Sequence, residues 1–211
     1  MRENLTISKL FEATKAFCIE QSKINFTELI GVTDGKAVGT FVEHRLKDYL
    51  SEHFIFINGN SASGIDLPEA GINTDIKVTS IKQPQSSCPY KSSKQKIFGL
   101  GYNLLVLVYE KKDTPNSSYL NFLNCTYVDK SRTADFTTTK RLIEMIKDGA
   151  IKEDILAFFE DIRIPGDEIV LNEIADEAIH EGVTQGYLTI SNALQWRLQY
   201  KRVITLDNNI E

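Results

Sequence analysis

The sequence has few of the residues that build disulfide or metal scaffolds. Only three cysteines and three histidines occur in 211 residues, and none falls in a CxxC or HxxxH pattern. This scarcity and wide spacing exclude a disulfide framework and a structural zinc site. We expect Cys18, Cys88 and Cys125 to be buried free thiols, as is usual in a reducing compartment.

Long apolar runs and nucleotide-binding motifs are also absent from the sequence. The longest apolar stretch, residues 98–109, is shorter than the ~20 residues that a membrane helix needs. The N-terminus has no apolar signal region, so we expect a cytoplasmic protein without a membrane span. No GxSxG, P-loop or GxGxxG motif occurs, and acyl transfer, NTP hydrolysis and a nucleotide cofactor therefore have no support.

Glycine and proline are sparse, and the hydrophobic fraction of 42% is typical of a folded globular protein. The pattern predicts two N-terminal helices, a run of short strands, a basic helix over about 89–100 and two further strands. From Thr138 onward the sequence reads as helical. We predict an α/β fold with a mixed central β-sheet flanked by helices, and a helical C-terminal region. The predicted domains are residues 1–132 and 133–211.

Charge is distributed unevenly along a chain whose net charge is −5. Between Lys77 and Lys112 there are seven lysines and one acid, whereas residues 141–182 carry twelve acids and four bases. This asymmetry favours a face that binds a polyanion, together with a solvated or partner-facing acidic side. The alternative is that these lysines lie on a solvent-exposed face that binds no polyanion.

Two aspartates and a lysine form the most informative group. If residues 64–80 make a hairpin that turns at 68–73, Asp66 and Asp75 lie opposite each other on two strands. Two close carboxylates repel unless a cation lies between them or one is protonated. Oxygen ligands of this kind suit Mg²⁺. Lys77 is two residues after Asp75, so it points to the same face of the strand, where it could assist an attacking water.

The acid-x-lysine triplet is weak evidence by itself. It also occurs at Asp34 to Lys36 and at Glu110 to Lys112, where the context indicates a turn and an exposed charged run. The triplet that begins at Asp75 differs because a second aspartate precedes it across a turn and a basic segment follows it. The alternative is a surface hairpin with a salt bridge from Lys77 to one of the two aspartates.

This order of residues resembles the catalytic core of the PD-(D/E)xK nuclease superfamily. The similarity covers about residues 36–128, and residues 64–110 most resemble a prokaryotic type II restriction endonuclease. The resemblance implies Mg²⁺-dependent DNA cleavage in a prokaryotic cytoplasm, with Asp66 and Asp75 as metal ligands and Lys77 in the water-activating position. Many members carry a further acid on the preceding helix, and Glu43 resembles it. An exposed Glu43 paired with Lys47 is the alternative.

Polar and basic residues near the catalytic group and in the C-terminal region suit contacts with double-stranded DNA. Lysine and hydroxyl groups bind phosphates, and glutamine can read adenine edges. The candidates are Lys82, Gln83, Gln85, Ser86, Ser87, Lys91, Lys94, Gln195, Arg197 and Lys201. Residues 174–202 suggest a helix-turn-helix whose second helix enters the major groove. A helical hairpin that caps the sheet or forms a dimer interface is the alternative.

Together these features predict a site-specific endonuclease of the type II restriction class. If its target is palindromic, a homodimer follows, because two-fold protein symmetry mirrors two-fold DNA symmetry. Two alternatives remain at this point. One is a structure-specific repair or junction-resolving nuclease on the same core, and the other is a non-catalytic DNA-binding module.

Overall fold

The described chain contains both strands and helices, and three successive helices follow the two longest strands. The structure is a computed structural model, and it describes residues 2–59, 64–88, 91–191 and 196–206. The strands are β1 Glu3–Asn4, β2 Phe54–Ile55, β3 Thr74–Ser80, β4 Gln85–Cys88, β5 Asn103–Thr114, β6 Ser117–Val128, β7 Thr189–Ile190 and β8 Trp196–Gln199. The helices are α1 Ile7–Gln21, α2 Gly35–His53, α3 Lys94–Phe98, α4 Phe136–Lys147, α5 Lys152–Asp161, α6 Glu168–Glu181 and α7 Lys201–Ile204.

The chain divides into two compact units, each assembled from separate segments. The first unit contains Met1–Pro84, Tyr102–Val128 and Val203–Glu211, and the second contains Gln85–Gly101 and Asp129–Arg202. The boundary that the sequence suggests at residue 132 remains a prediction. The division seen in the structure assigns residues 85–101 to the same unit as most of the C-terminal region.

A mixed sheet organises the first unit. Its strand order is β3-β5-β6, with β3 parallel to β5 and β5 antiparallel to β6. The first seven residues of the central strand β5 are all buried, as its continuous apolar sequence predicts for a strand covered on both faces. The mixed α/β fold class is therefore confirmed.

Two helices cover this sheet, and local sequence explains where each begins. Thr6 and Asp34 are the N-caps of α1 and α2, and their side chains accept hydrogen bonds from the first-turn amides. Val38, Val42, Leu46 and Leu50 repeat every four residues along α2 and are all buried, which forms the apolar stripe that packs the helix. The stripe joins a core that α1, β3, β5 and β6 also supply.

The second unit has its own core and its own small sheet. Its apolar cluster comes from α3, α4, α5, α6 and the turn at Ile164. Its antiparallel sheet has the order β4-β8-β7. The helical character predicted after Thr138 is confirmed for α4, α5 and α6.

Three local predictions are wrong. Residues 64–67 form no strand beyond a single bridge from Leu67 to Thr74. The basic helix predicted over about 89–100 is shortened to α3, and residues 85–88 before it form β4, which pairs with β8. The helix expected over 189–202 is replaced by β7, β8 and α7 within the described residues. In residues 196–200, apolar and polar types alternate, and so short a run fits a strand as well as a helix.

No helix in the described part of the chain is long and apolar enough to cross a membrane. Cys18, Cys88 and Cys125 are buried, and none of them is in a disulfide within the described part of the chain, which confirms the expectation for the thiols.

One glycine is required where two backbone segments of the first unit meet. Gly59 donates its N–H to the carbonyl of Asp66 at 2.8 Å, and a Cβ at position 59 would lie 1.9 Å from the carbonyl oxygen of Ile65. No side chain fits this contact without moving the backbone that carries Asp66.

Gly59→Ala is therefore expected to lower the free energy of unfolding by about 1–3 kcal/mol, as overpacking does elsewhere. Gly71→Ala is the matched control, because a Cβ at position 71 meets nothing within 4 Å, and its expected change is within about 0.5 kcal/mol. Urea denaturation measures both changes, and equal stabilities of the two variants would contradict the steric argument.

Candidate active site

The two aspartates singled out in the sequence are adjacent in the structure. The antiparallel bridge between Leu67 and Thr74 sets the register of the turn, so the next pair of positions outward is Asp66 and Asp75. Their carboxyl groups are in hydrogen-bonding contact. Asn73, immediately before β3, has a φ of 38°, a left-handed conformation that asparagine tolerates better than most residues. This turn returns the chain to the start of β3.

Each aspartate has a lysine partner from a different element. Lys77 on β3 lies 2.7 Å, Nζ to Oδ2, from Asp75. Lys47 on α2 lies 2.7 Å from Asp66 Oδ1. The other oxygen of Asp66 accepts the N–H of Ile76 at 2.8 Å. Both carboxylates are therefore held in fixed orientations at the beginning of β3.

Glu43 joins the group through Lys47. The Lys47 Nζ is 2.7 Å from Glu43 Oε1, one helical turn earlier on α2, and it binds Asp66 at the same time. The Glu43–Lys47 pair that the sequence left open is thus present, but it is half-buried and connected to Asp66 instead of lying alone on the surface. Lys47 is the member of the group that sequence reasoning missed. Its signal was the i, i+4 spacing from Glu43 on the border of the α2 stripe.

The salt bridge from Lys77 to Asp75 is also present, but not on a surface hairpin. Asp75 is only 5% exposed, because β3 lies beside the buried strand β5 and the register pairs Asp75 with Leu104. Burial of a carboxylate is costly unless a charge partner or a proton compensates it. A cation or a proton close to Asp75 therefore stabilises the site.

The pKa values of the two carboxyls move in opposite directions. Burial raises the pKa of Asp75 to about 7, and contact with Asp66 adds to this effect although the Lys77 ammonium opposes it. Burial also acts to raise the pKa of Asp66, but hydrogen bonds from Asp75, Lys47 and the Ile76 amide outweigh it and lower the pKa to about 2. Below about pH 7, one proton is therefore held between the two groups.

The predicted DNA-binding residues fall in both units. Lys82 and Gln83 are exposed in the turn after β3, in the first unit. In the second unit, Lys91, Lys201 and Arg197 are exposed, whereas Lys94 forms an ion pair with Glu177. Ser86 hydrogen-bonds the Tyr200 hydroxyl at 2.5 Å, and Gln85 and Ser87 flank it on β4. Gln195 lies outside the described residues.

Lys96 differs from the solvated lysine that the sequence of a basic helix suggests. Its side chain is buried, and its Nζ donates to the carbonyl of Ile190 at 2.5 Å. Burial lowers the pKa of this ammonium, against the nearby charge of Asp135. Asp135 in turn caps α4 and accepts the N–H of Ile190. Lys96 therefore belongs to the interior of the second unit.

The structure thus shows an acid pair with a lysine partner for each acid, and comparison with known proteins identifies the class as restriction endonucleases. The family model described as "Type II restriction enzyme NspV" matches residues 4–211. The type II restriction enzyme NspV of Nostoc sp. (strain ATCC 29411 / PCC 7524) is 52% identical over 202 residues, covering 95% of this chain and 91% of that protein. No solved structure matches the chain.

The chain belongs to the NspV family of type II restriction enzymes. It is therefore a site-specific deoxyribonuclease that acts on DNA. This assignment favours restriction over the junction-resolving and non-catalytic alternatives that the sequence left open.

The shared proton predicts how stability depends on pH in metal-free protein. Between about pH 4 and pH 7 the folded state keeps a proton on Asp75 that an unfolded aspartate has lost. The free energy of unfolding should therefore fall as the pH rises through this range. The contribution of Asp66 has the opposite sign and is complete by about pH 5, because its pKa is lowered and an unfolded aspartate is ionised above that pH.

The asparagine of Asp75→Asn cannot titrate. The free energy of unfolding of this variant should therefore not show the fall with rising pH that is due to Asp75. Relative to the unaltered protein, this variant should become progressively more stable from pH 5 to pH 8. Urea denaturation in EDTA measures the difference at both pH values. Parallel pH profiles for the two proteins would show that Asp75 does not retain the proton.

Proposed function

We propose that this restriction enzyme hydrolyses its DNA target with Mg²⁺ held by Asp66 and Asp75, and with Lys77 beside the attacking water. The observation that supports this proposal is the contact between the carboxyl groups of Asp66 and Asp75. Asp75 is buried, and each of the two carboxyls forms a salt bridge with a different lysine. A divalent cation stabilises such a pair strongly, because it replaces the shared proton and offsets the negative charge of both carboxylates.

The donor set at the site fits Mg²⁺. Among the described residues, no group of three or more His, Cys, Asp or Glu side chains converges in the way of a complete protein cage. Mg²⁺ does not require one, since it typically takes one or two carboxylates together with waters and phosphate oxygens. The Lys47 ammonium already bridges Glu43 and Asp66 as a monovalent cation would. We infer that Glu43 is a third oxygen donor when Lys47 releases it.

The chain's own residues supply orientation and charge for the hydrolysis. In the net reaction the oxygen of water forms a bond to phosphorus, one ester P–O bond breaks, and the leaving sugar oxygen takes up a proton. Bound Mg²⁺ supplies positive charge that polarises the scissile phosphate. Lys77, held 2.7 Å from Asp75, orients the water and offsets the negative charge that develops on the phosphate oxygens.

Contacts with the duplex are assigned to the exposed cations and polar residues identified above. Lys82, Gln83, Lys91 and Lys201 are suited to phosphate contacts, because their side chains are exposed. Lys94 would have to leave Glu177 in order to join them. We further infer that the enzyme acts in a prokaryotic cytoplasm without a nucleotide cofactor. We also infer that it binds a palindromic target as a homodimer. Sedimentation equilibrium with target DNA tests the dimer.

Replacement of the central residues should abolish cleavage. Asp75→Ala and Lys77→Ala are each expected to lower the cleavage rate in Mg²⁺ by at least about 10²-fold, and EDTA should stop the unaltered enzyme. The assay is a time course with DNA of known sequence, resolved on a gel as discrete fragments.

The chain offers a matched control for this pair. Glu110 and Lys112 form the same acid-x-lysine triplet on β5, with an exposed ion pair at 2.9 Å, and their alanine variants should cut at the normal rate. Cleavage at the normal rate by folded Asp75→Ala or Lys77→Ala would contradict the proposal that these residues act in hydrolysis.

Lys47 should compete with the metal for the same oxygens. Lys47→Met removes the ammonium that bridges Glu43 and Asp66, so Mg²⁺ should bind several-fold more tightly in calorimetry without DNA. Lys36→Met, at the exposed start of the same helix, loses the same charge and serves as the control. Weaker Mg²⁺ binding to Lys47→Met than to the control would show that Lys47 supports the ligands instead of competing with the metal.

A further inference from the structure

The small sheet of the second unit has two chemically different faces. Ser86, Cys88, Ile190, Leu198 and Tyr200 alternate onto one face. All of these except Ser86 are buried, and Ser86 is bonded to Tyr200. The intervening residues form the opposite face, which we call the polar sheet face: Gln85, Ser87, Thr189, Arg197 and Gln199.

Register places the polar side chains in pairs. Gln85 lies directly opposite Gln199, and Ser87 lies opposite Arg197. Residues so paired have Cβ atoms about 4.5–5.5 Å apart, so the two amides are neighbours. Ser87, Arg197 and Gln199 are exposed. Because three hydrogen-bonded strands carry them, these groups have a fixed spacing that the lysines of surface loops lack.

The residue types on this face are those that read base edges. Arginine pairs with the two major-groove acceptors of guanine, and glutamine pairs with the donor and acceptor of adenine. Lysines, which bind phosphates without reading sequence, are absent from β4, β7 and β8. The major groove admits a two-stranded antiparallel β-ribbon, and β4 and β8 form such a pair.

Charge on and beside the face suits a polyanion. The three strands carry no aspartate or glutamate. Arg202 donates to Thr189 at 2.6 Å and lies 4.2 Å above the ring of Phe136, which adds a fixed cation at the β7 end. Most of the acidic residues of this unit lie on α5 and α6, and Asp135, which accepts the N–H of Ile190, is buried.

We propose that the polar sheet face reads base edges in the major groove of the DNA that this enzyme cuts, with Arg197 on a guanine and Gln199, beside Gln85, on an adenine. The proposal rests on DNA as the substrate. It does not depend on which residues cleave, since the face contains none of the proposed catalytic group.

Base analogues in the target test the proposal. The recognised sequence is first mapped from the ends of fragments that the unaltered enzyme produces. Duplexes are then made in which each guanine or adenine is replaced, one at a time, by its 7-deaza analogue, which lacks the major-groove N7 acceptor. Cleavage in Mg²⁺ under single-turnover conditions gives kcat/KM for each duplex.

Arg197→Ala should lower kcat/KM on the unmodified target by tenfold to a hundredfold or more. It should also make the enzyme insensitive to 7-deazaguanine at one position where the unaltered enzyme is slowed. Gln199→Ala should do the same for one 7-deaza-adenine position. Lys82→Ala is the control, because it should slow cleavage of all duplexes by one common factor and keep the full analogue profile.

Two results would overturn the proposal. One is an analogue profile in Arg197→Ala and Gln199→Ala that matches the unaltered enzyme. The other is a change in oligomeric state with no change in the profile, which would identify the face as a contact between copies of the chain. Continued cleavage by Asp75→Ala would instead count against the catalytic assignment and leave the analogue result intact.

Discussion

The arrangement of the first unit depends on keeping two carboxyl groups in contact at a buried position. Asp75 is nearly inaccessible, so its charge cannot be solvated and must be compensated by a proton, a lysine or a metal cation. Lys77 provides one partner from the same strand, and Lys47 holds the second carboxylate from α2. The helix, the turn and the strand are thus connected through one electrostatic group. The same requirement explains why the pKa of Asp75 rises while that of Asp66 falls.

The two units of the chain present different kinds of side chains. The acids and lysines proposed for cleavage all lie on α2, β3 and the turn before β3, in the first unit. The second unit presents amide and guanidinium groups on a small antiparallel sheet. Restriction enzymes must both hydrolyse a phosphodiester and discriminate bases, and these tasks need different groups. Carboxylates and metal serve hydrolysis, whereas amide and guanidinium groups at fixed spacing serve recognition.

Much of the first unit could be predicted because its elements have strong local patterns. The four-residue repeat from Val38 to Leu50 specifies α2, and the apolar run beginning at Leu104 specifies a buried strand. The turn at 68–73 was sufficient to place Asp66 opposite Asp75. The second unit was predicted less well, since β4 and β8 are four residues each. Strands of that length are defined by their partner, and Gln85 and Gln199 are 114 positions apart in the chain.

The sequence by itself determined the class of fold, the position of the aspartate pair, and Lys77 as its neighbour on the same strand. These depend on local periodicity and on a short turn, so nearby residues are sufficient to specify them. Only the tertiary structure decided that Lys47 links Glu43 to Asp66, that Lys96 is buried, and that residues 196–199 form a strand. Each of these depends on contacts between segments far apart in the chain, and side-chain burial and strand pairing arise only when such segments pack together.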